Sequence, residues 1–409
     1  MNEKISREVK NTKIIPLKEA GVLKSGGTPS KNNNNYWGGN FPWITAKDLK
    51  VPVLENSIDR LTDEGTNHAK IAPKNSLLIL VRGMTLFKDV PVCLAGRDLA
   101  FNQDIKALIP KKDVDPNYLL MFLKSKKREL LGLVDSAGHG TGRLNIDLLE
   151  NLNIAIPPIP EQKAIADLLS TWDEAIEKTE RLIRAKEQRL DAYGRELFNR
   201  KNACNYKGWK SIRLKDVLIE HGDKSTGNEE VYSVSVHKGL VNQIEHLGRS
   251  FSASNTENYN CAHYGDIVYT KSPTGNFPLG VVKQSYVSKD VIVSPLYGVF
   301  TPKSFHLGIV IDFYFSSPTR ARNYLYSLIQ KGAKNTLAIT NKTFISKKLH
   351  LPVDETAQKA IAEYVITARE EIDLLKQLAD KYKIQKSGLM QKMLTGTWRI
   401  KLEIINKYR

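Results

Sequence analysis

The chain has little from which to build a redox, metal or disulfide centre. Of its 409 residues only three are cysteines, Cys93, Cys204 and Cys261, far apart and odd in number. They form no Cys-x-x-Cys pair, so neither a disulfide framework nor a cysteine zinc site is expected, and free thiols in a reducing cytoplasm are. The eight histidines show no His-x-x-x-His or similar spacing, so no metal is expected either. No run of eighteen apolar residues exists; the runs present, such as Leu77 to Val81, are strand length, which argues against a membrane-spanning segment. The first eleven residues are polar and mixed in charge, unlike a signal peptide, so the expected location is cytoplasmic.

Catalytic motifs are missing as well. Gly138, Gly140 and Gly142 suggest a phosphate loop, but no Gly-Lys-Ser/Thr ending follows, and a basic turn is the better reading. An adenine methyltransferase would need Asn- or Asp-Pro-Pro-aromatic; the single Pro-Pro, Pro157-Pro158, follows Ile156. Asp147, Glu161 and Lys163 have the loose spacing of a metal-dependent nuclease, which stays as a rival reading. Glu161, however, opens a helical pattern, where an acid favours the helix dipole. The chain is therefore expected to catalyse nothing alone.

What is present is positive charge and repetition. The formal charge of +17 makes a polyanion the expected partner, with nucleic acid ahead of an anionic membrane surface. The string Gln162-Lys163-Ala164-Ile165-Ala166 returns unchanged as Gln358-Lys359-Ala360-Ile361-Ala362. Each copy follows a short apolar strand ending in proline and opens a long helical pattern. Ile165, Leu169, Trp172, Ile176, Thr179, Ile183, Lys186, Leu190, Tyr193 and Leu197 are spaced four, three, four, three, as in a heptad seam. Shifted by the interval of the repeat, Ile361, Val365, Ala368, Ile372, Leu375, Ala379, Tyr382, Lys386, Leu389 and Met393 form a second seam. A single helix offers no opposing surface for such a stripe, so the two are expected to pair. From Glu161 to Phe198 a helix would run roughly 55 Å. The expected fold is α+β: two globular mixed α/β domains separated by two long helices, paired as an antiparallel coiled coil with pseudo-two-fold symmetry. The expected boundaries are 1–156 and 206–352 for the globules, with 157–205 and 353–409 for the helical regions.

The globules share a plan but little sequence. Short entry strands, Lys13 to Lys18 and Ser211 to Lys215, open them. Apolar strands, Ser76 to Arg82 and Asp266 to Lys271, end in a cation and run into small-residue loops. Strands from Val90 to Leu94 and Gly280 to Val282 follow. Helical stretches from Asn117 to Leu131 and from Ala321 to Ile329 precede glycine-bearing basic loops at 138–143 and 332–336. Side chains that match groove edges are Arg82, Thr85, Lys271, Thr274, Asn276, Lys334 and Asn335. Arg143, Lys224, Lys331 and Lys342 suit phosphate contacts, since a flexible cation positions without specifying. The run Lys124 to Arg128 reads equally as a solvated helix face.

Several strings resemble type I restriction-modification specificity (S) subunits, the HsdS family. They are Ser25-Gly26-Gly27-Thr28-Pro29, Tyr36-Trp37-Gly38-Gly39, Pro42-Trp43-Ile44, Asn102-Gln103-Asp104, Pro157-Pro158-Ile159-Pro160-Glu161-Gln162, and Leu389 to Gly396. The second copy departs slightly, with Thr356-Ala357-Gln358 where Glu-Gln is usual, which should weaken a helix cap at most. The resemblance implies that the globules are target recognition domains, each reading one half of a bipartite site on double-stranded DNA across an unspecified spacer. It implies two methyltransferase subunits as partners and, in the restricting complex, two motor-nuclease subunits. S-adenosylmethionine, ATP and magnesium would belong to those partners, leaving no cofactor in this chain. A DNA-binding scaffold or regulator acting alone is the alternative.

Overall fold

The computed structural model describes residues 12–137, 140–199, 208–247, 256–331 and 337–409. The chain divides into two compact units: residues up to Thr179 together with Leu378–Arg409, and Glu180–Gln377. The first long helix, Ile159–Leu197, and the second, Glu355–Leu394, each contribute one half to each unit. Among the described residues no helix is long and apolar enough to cross a membrane.

The head of the first unit is built on a five-stranded sheet in the order Gly21–Ser25, Ile105–Pro110, Leu77–Leu80, Val92–Ala95, Val53–Leu54. The first four strands pair antiparallel; the short edge strand is parallel to its neighbour. The central Leu77-Leu78-Ile79-Leu80 is buried on both faces, which is why it reads as an unbroken apolar run. A four-stranded sheet carries the family-like strings: Trp37–Ile44 lies between Asp59–Leu61 and Leu99–Phe101, with Ile71–Ala72 beyond. Lys13–Pro16 pairs antiparallel with Asn153–Ile156 and closes the head where the long helix begins.

The head of the second unit repeats the central strand order as Leu218–Glu220, Gly298–Pro302, Ile267–Tyr269, Val282–Gln284, again antiparallel. After the sheet both heads run through the same elements. Two short helices come first, Pro116–Ser125 and Lys127–Gly132 in one head, Phe305–Phe315 and Pro318–Tyr326 in the other. A hairpin, a capped single-turn helix and a closing strand then lead to the long helix. The closing pair in the second unit is Trp209–Arg213 with Lys348–Pro352.

Two expectations are corrected here. The stretch from Asn117 to Leu131 is two helices, broken at Lys126, whose backbone leaves the helical region. Phe305–Phe315 is a helix that the sequence reading passed over. All but three of its side chains are buried, so it has no polar face to reveal a period. The short helices are conventionally started: Asp115, Asn145, Ser304, Ser317 and Thr340 each accept a backbone N–H from the first turn, and Pro116 and Pro318 occupy the first helical position.

Within each unit the long helices lie side by side and antiparallel. In the first unit Trp172 meets Tyr382 edge-on at 5.6 Å, and Asp173 pairs with Lys386. In the second, Lys186 pairs with Glu371 at 2.7 Å, Glu187 with Lys376 at 2.6 Å, and Tyr193 packs on Tyr364. All twenty seam positions are buried or half-buried. The two lysines that interrupt the apolar seams thus keep their stems against the partner helix and place their charges on its carboxylates.

The repeated string has a structural explanation. Gln162 is fully buried; its amide donates to the carbonyls of Pro157 (2.7 Å) and Asp113 (2.9 Å) and accepts from the backbone N–H of Asp115 (2.8 Å). Gln358 donates to the carbonyl of Pro352 (3.1 Å) and accepts from the Ser304 hydroxyl (2.7 Å). Asp115 and Ser304 are the N-caps of corresponding helices, so each glutamine ties a long helix to its own head. The missing acid at Ala357 is covered by Asp354, whose carboxylate accepts the Ala357 N–H at 2.9 Å.

Candidate nucleic-acid interface

In the first head the sequence candidates come together on a three-stranded sheet, Val134–Ala137, Thr141–Leu144 and Arg82–Gly83. Arg143 faces Arg82 directly across the antiparallel pair, and both are exposed. The expected basic loop is, at Thr141–Leu144, a strand. Gly142 permits the close approach: a Cβ there would meet Leu86 Cβ at 2.9 Å and Val134 Cγ1 at 3.1 Å. Gly83 has φ 147°, a region that favours glycine, and turns the chain into the short 3-10 helix Met84–Phe87, where Thr85 is exposed. Two side chains were missed by the sequence reading. Met84 is 75% exposed and Phe87 is 51% exposed, both beside the arginines. The signal available was an apolar pair in a loop next to glycine. Like charges facing across a strand pair repel, so the Arg82–Arg143 pair costs stability unless an anion lies against it.

In the second head the corresponding residue, Lys271, is held at φ 59°. Burial lowers its pKa, against the opposing pull of the Glu220 carboxylate. The chain then turns through Thr274, which forms a tight bridge with Phe277, and Asn276. Asn276 lines an open cleft of about 580 Å³ with Thr319, Arg322, Asn323, Tyr326 and Ser327. These belong to one face and the end of the helix Pro318–Tyr326. The sequence reading missed that face, although its i, i+3, i+4 polar spacing was present. Lys331 lies on the two-residue strand Gln330–Lys331, while Lys334 and Asn335 lie outside the described residues. Lys224 is tied to its own head, donating to Asn260 Oδ1 (2.6 Å) and the Asn258 carbonyl (3.2 Å). Lys342 is exposed on the capped turn Asn341–Ser346. Of the run Lys124 to Arg128, Lys126 pairs with Glu129 and Lys127 with Asp89.

The nuclease trio does not assemble. Glu161 is 2% exposed and forms a two-point ion pair with Arg399, which also donates to Thr12 at 2.7 Å. Its carboxylate is therefore a structural anchor for the chain's C-terminal segment, beyond the dipole role expected of it. Asp147 is exposed on another element.

Residues 10–187 match the family described as type I restriction modification DNA specificity domain. A specificity subunit of the type I restriction enzyme EcoR124I/EcoR124II of Escherichia coli is 33% identical over 181 residues, 43% of this chain and 45% of that subunit. The chain thus spans about half the length of that relative. The MjaVIII specificity subunit of Methanocaldococcus jannaschii is 23% identical over 89% of this chain and 87% of its own. The crystal structure of the type I restriction-modification S subunit from M. genitalium matches the fold with a TM-score of 0.58, at 17% identity, over 94% of this chain and 96% of that one. The matched residues 10–187 thus include the whole first head and the first part of the first long helix, and this region is similar to the type I restriction modification DNA specificity domain.

Proposed function

We propose that this chain is the sequence-reading subunit of a type I restriction-modification complex and catalyses no step itself. Each head would read one half of a bipartite site on double-stranded DNA, and the paired helices would set the spacer between the halves. In the first head Arg82 and Arg143 would contact guanine edges or phosphates and Thr85 a neighbouring base. Met84 and Phe87 would lie on base edges or wedge at a base step. In the second, Lys271, Thr274 and Asn276 would lie against DNA with Arg322, Asn323 and Tyr326, and Lys224, Lys331, Lys334 and Asn335 would extend that footprint. Methyltransferase subunits with S-adenosylmethionine would flip and methylate adenine, and motor-nuclease subunits with ATP and magnesium would restrict. The observation that carries this reading is the family plan executed twice, with a different polar and cationic edge on each head.

The test is methylome sequencing of a methylation-free host that carries this chain with its neighbouring methyltransferase subunit, against that subunit alone. A bipartite adenine-methylation motif that requires this chain is the expected result. No motif despite a stable complex would favour a DNA-binding scaffold instead. Replacing both Arg82 and Arg143 by alanine should relax one half of the motif and leave the other intact. Each lost base contact should weaken discrimination by about 1–3 kcal/mol, roughly ten- to hundredfold.

A further inference from the structure

The second head gathers a set of side chains that DNA reading does not use. His221 and Asp223 follow the strand Leu218–Glu220, His263 follows Asn260–Ala262, and the buried Asp266 begins the turn into Ile267–Tyr269. Asp266 accepts the His263 backbone N–H (2.8 Å) and the Thr301 hydroxyl (2.8 Å), and it faces His221 Nε2 at 2.9 Å. Such a carboxylate requires His221 Nε2 to carry the proton. In the neutral ring the lone pair is then on Nδ1, which is buried and, among the described residues, has no hydrogen-bond partner. It lies 3.4 Å from Asp223 Oδ2. His263 also lies between two carboxylates, but with both ring nitrogens hydrogen-bonded: Nδ1 is 2.8 Å from Asp290, and Nε2 is 3.1 Å from the same Asp223 oxygen.

We propose that His221 Nδ1, His263 Nε2 and Asp223 Oδ2 form a binding site for a zinc-like divalent cation. The three atoms lie within 4.8 Å of one another, and the two measured edges are close to the ~3.3 Å edge of a tetrahedron with zinc bonds of about 2.0–2.1 Å. The second ring nitrogen of each histidine is already held by its own carboxylate, Asp266 or Asp290, the arrangement that fixes a ligating imidazole. A solvent molecule would complete four-coordination. A different grouping, Cys261 with His263 and Asp290, is geometrically close. It is disfavoured because it would take Asp290 from its role behind His263. The ion would pin the 221–223 segment to the turn between Asn260–Ala262 and Ile267–Tyr269, and with it the neighbouring Lys224 edge of this head.

The test uses the full chain, dialysed against chelator and titrated with Zn²⁺ or Co²⁺ alone. One equivalent should bind, Co²⁺ should give the visible bands of a tetrahedral site, and saturating Zn²⁺ should raise the melting temperature by roughly 5 °C or more. Asp223→Ala, an exposed substitution that leaves the buried contacts intact, and His263→Gln should each weaken binding at least tenfold. Asp266→Asn should weaken it by about 10–100-fold through the orientation of His221. His68→Gln and His350→Gln should change nothing. Absence of stoichiometric binding overturns the proposal, as does binding that survives Asp223→Ala and His263→Gln unchanged.

Discussion

From the central sheet onward the two heads run through the same elements in the same order, yet they hold their long helices with different side chains. Where the first head meets the helices, Ala164, Ile165, Ala166 and Leu169 join a core dominated by leucine, and the buried charge there, Glu161, is paired with Arg399 of the C-terminal segment and not with a charge on the head. The second head has an aromatic core containing Tyr269, Phe300, Phe313, Phe315, Tyr324 and Phe344. At its helix contact the buried charge is on the head itself. Asp312 is 1% exposed and receives Arg369 from the second long helix, with Lys283 3.7 Å away. Burial alone would raise the Asp312 pKa; the Arg369 and Lys283 charges and the Arg369 hydrogen bond outweigh it and hold the carboxyl below its ordinary range. One plan therefore tolerates two solutions, provided the repeated glutamine and the seam keep the helix in place. An apolar contact survives loss of one side chain in graded steps, whereas a buried ion pair fails abruptly when one partner goes.

The largest expected effect follows from that contrast. Arg369→Met leaves Asp312 buried without its main counter-charge and should destabilise the second unit by about 3–5 kcal/mol. Hydrogen exchange resolved by segment should show Phe305–Phe315 opening while Leu77–Leu80 keeps its protection. Equal loss in both units would mean that they do not differ as argued. The wild-type pair also predicts a pH dependence. The folded pKa of Asp312 lies below the unfolded value of about 3.9. Its contribution is thus complete above that value and is lost as pH falls through the folded pKa. The urea midpoint of the second unit should fall more steeply than that of the first below about pH 4.

Next in size is the glutamine comparison. Gln162→Leu leaves the buried Pro157 carbonyl, the partly buried Asp113 carbonyl and the Asp115 N–H without their partner and should cost about 2–3 kcal/mol. Gln358→Leu should cost nearer 1 kcal/mol, because Ser304 can keep capping its helix through the Leu307 N–H, 3.1 Å away. Urea unfolding of both variants checks the order; a larger loss at Gln358 would refute the reading of Gln162 as the stronger clamp.

These clamps were only half legible in the sequence. The exact repeat of Gln-Lys-Ala-Ile-Ala marked the helix starts, and a three-four spacing marked the seam, because both are local periodicities. The family-like strings in the first head were legible for the same reason. The partners Asp115 and Ser304 were not, since they lie forty-seven and fifty-four positions away and belong to helices whose edges carry no period. Arg82 and Arg143 were each readable as cations near glycine. Their pairing across strands depends on register, which glycine-rich segments specify weakly. The histidine cluster escaped for a related reason: its two rings sit on separate strands of the chain, and no linear spacing records that.

A smaller asymmetry lies in the helix pair. Under the shift that superposes the repeats, Trp172 corresponds to Ala368 and Tyr382 to Lys186, so one aromatic pair in the first unit is matched by an alanine and a lysine in the second. Trp172→Ala should cost about 2 kcal/mol, less than the 3–5 of a fully buried ring, because Trp172 is half-buried and meets Tyr382 by its edge. In the second unit the matching place is a cleft of about 130 Å³, lined by Lys186, Leu190, Tyr364, Ala368 and Glu371 among others.

Ala368→Leu tests whether that cleft is packing slack. The substitution adds three carbons to the cleft between Leu190, Tyr364 and the stems of Lys186 and Glu371. At ~0.8 kcal/mol per fully buried carbon the ceiling is near 2 kcal/mol; the cleft is open on one side, so a gain of about 0.5–1 kcal/mol is expected. A tryptophan there would instead compete with the Lys186 stem for the same space, since no tyrosine stands opposite to receive its edge. Thermal unfolding of the leucine variant decides the point. A gain confined to the second unit would mean that its half of the seam is underpacked relative to the first. A loss would mean that the alanine is already in close contact and that the asymmetry is a fitted shape.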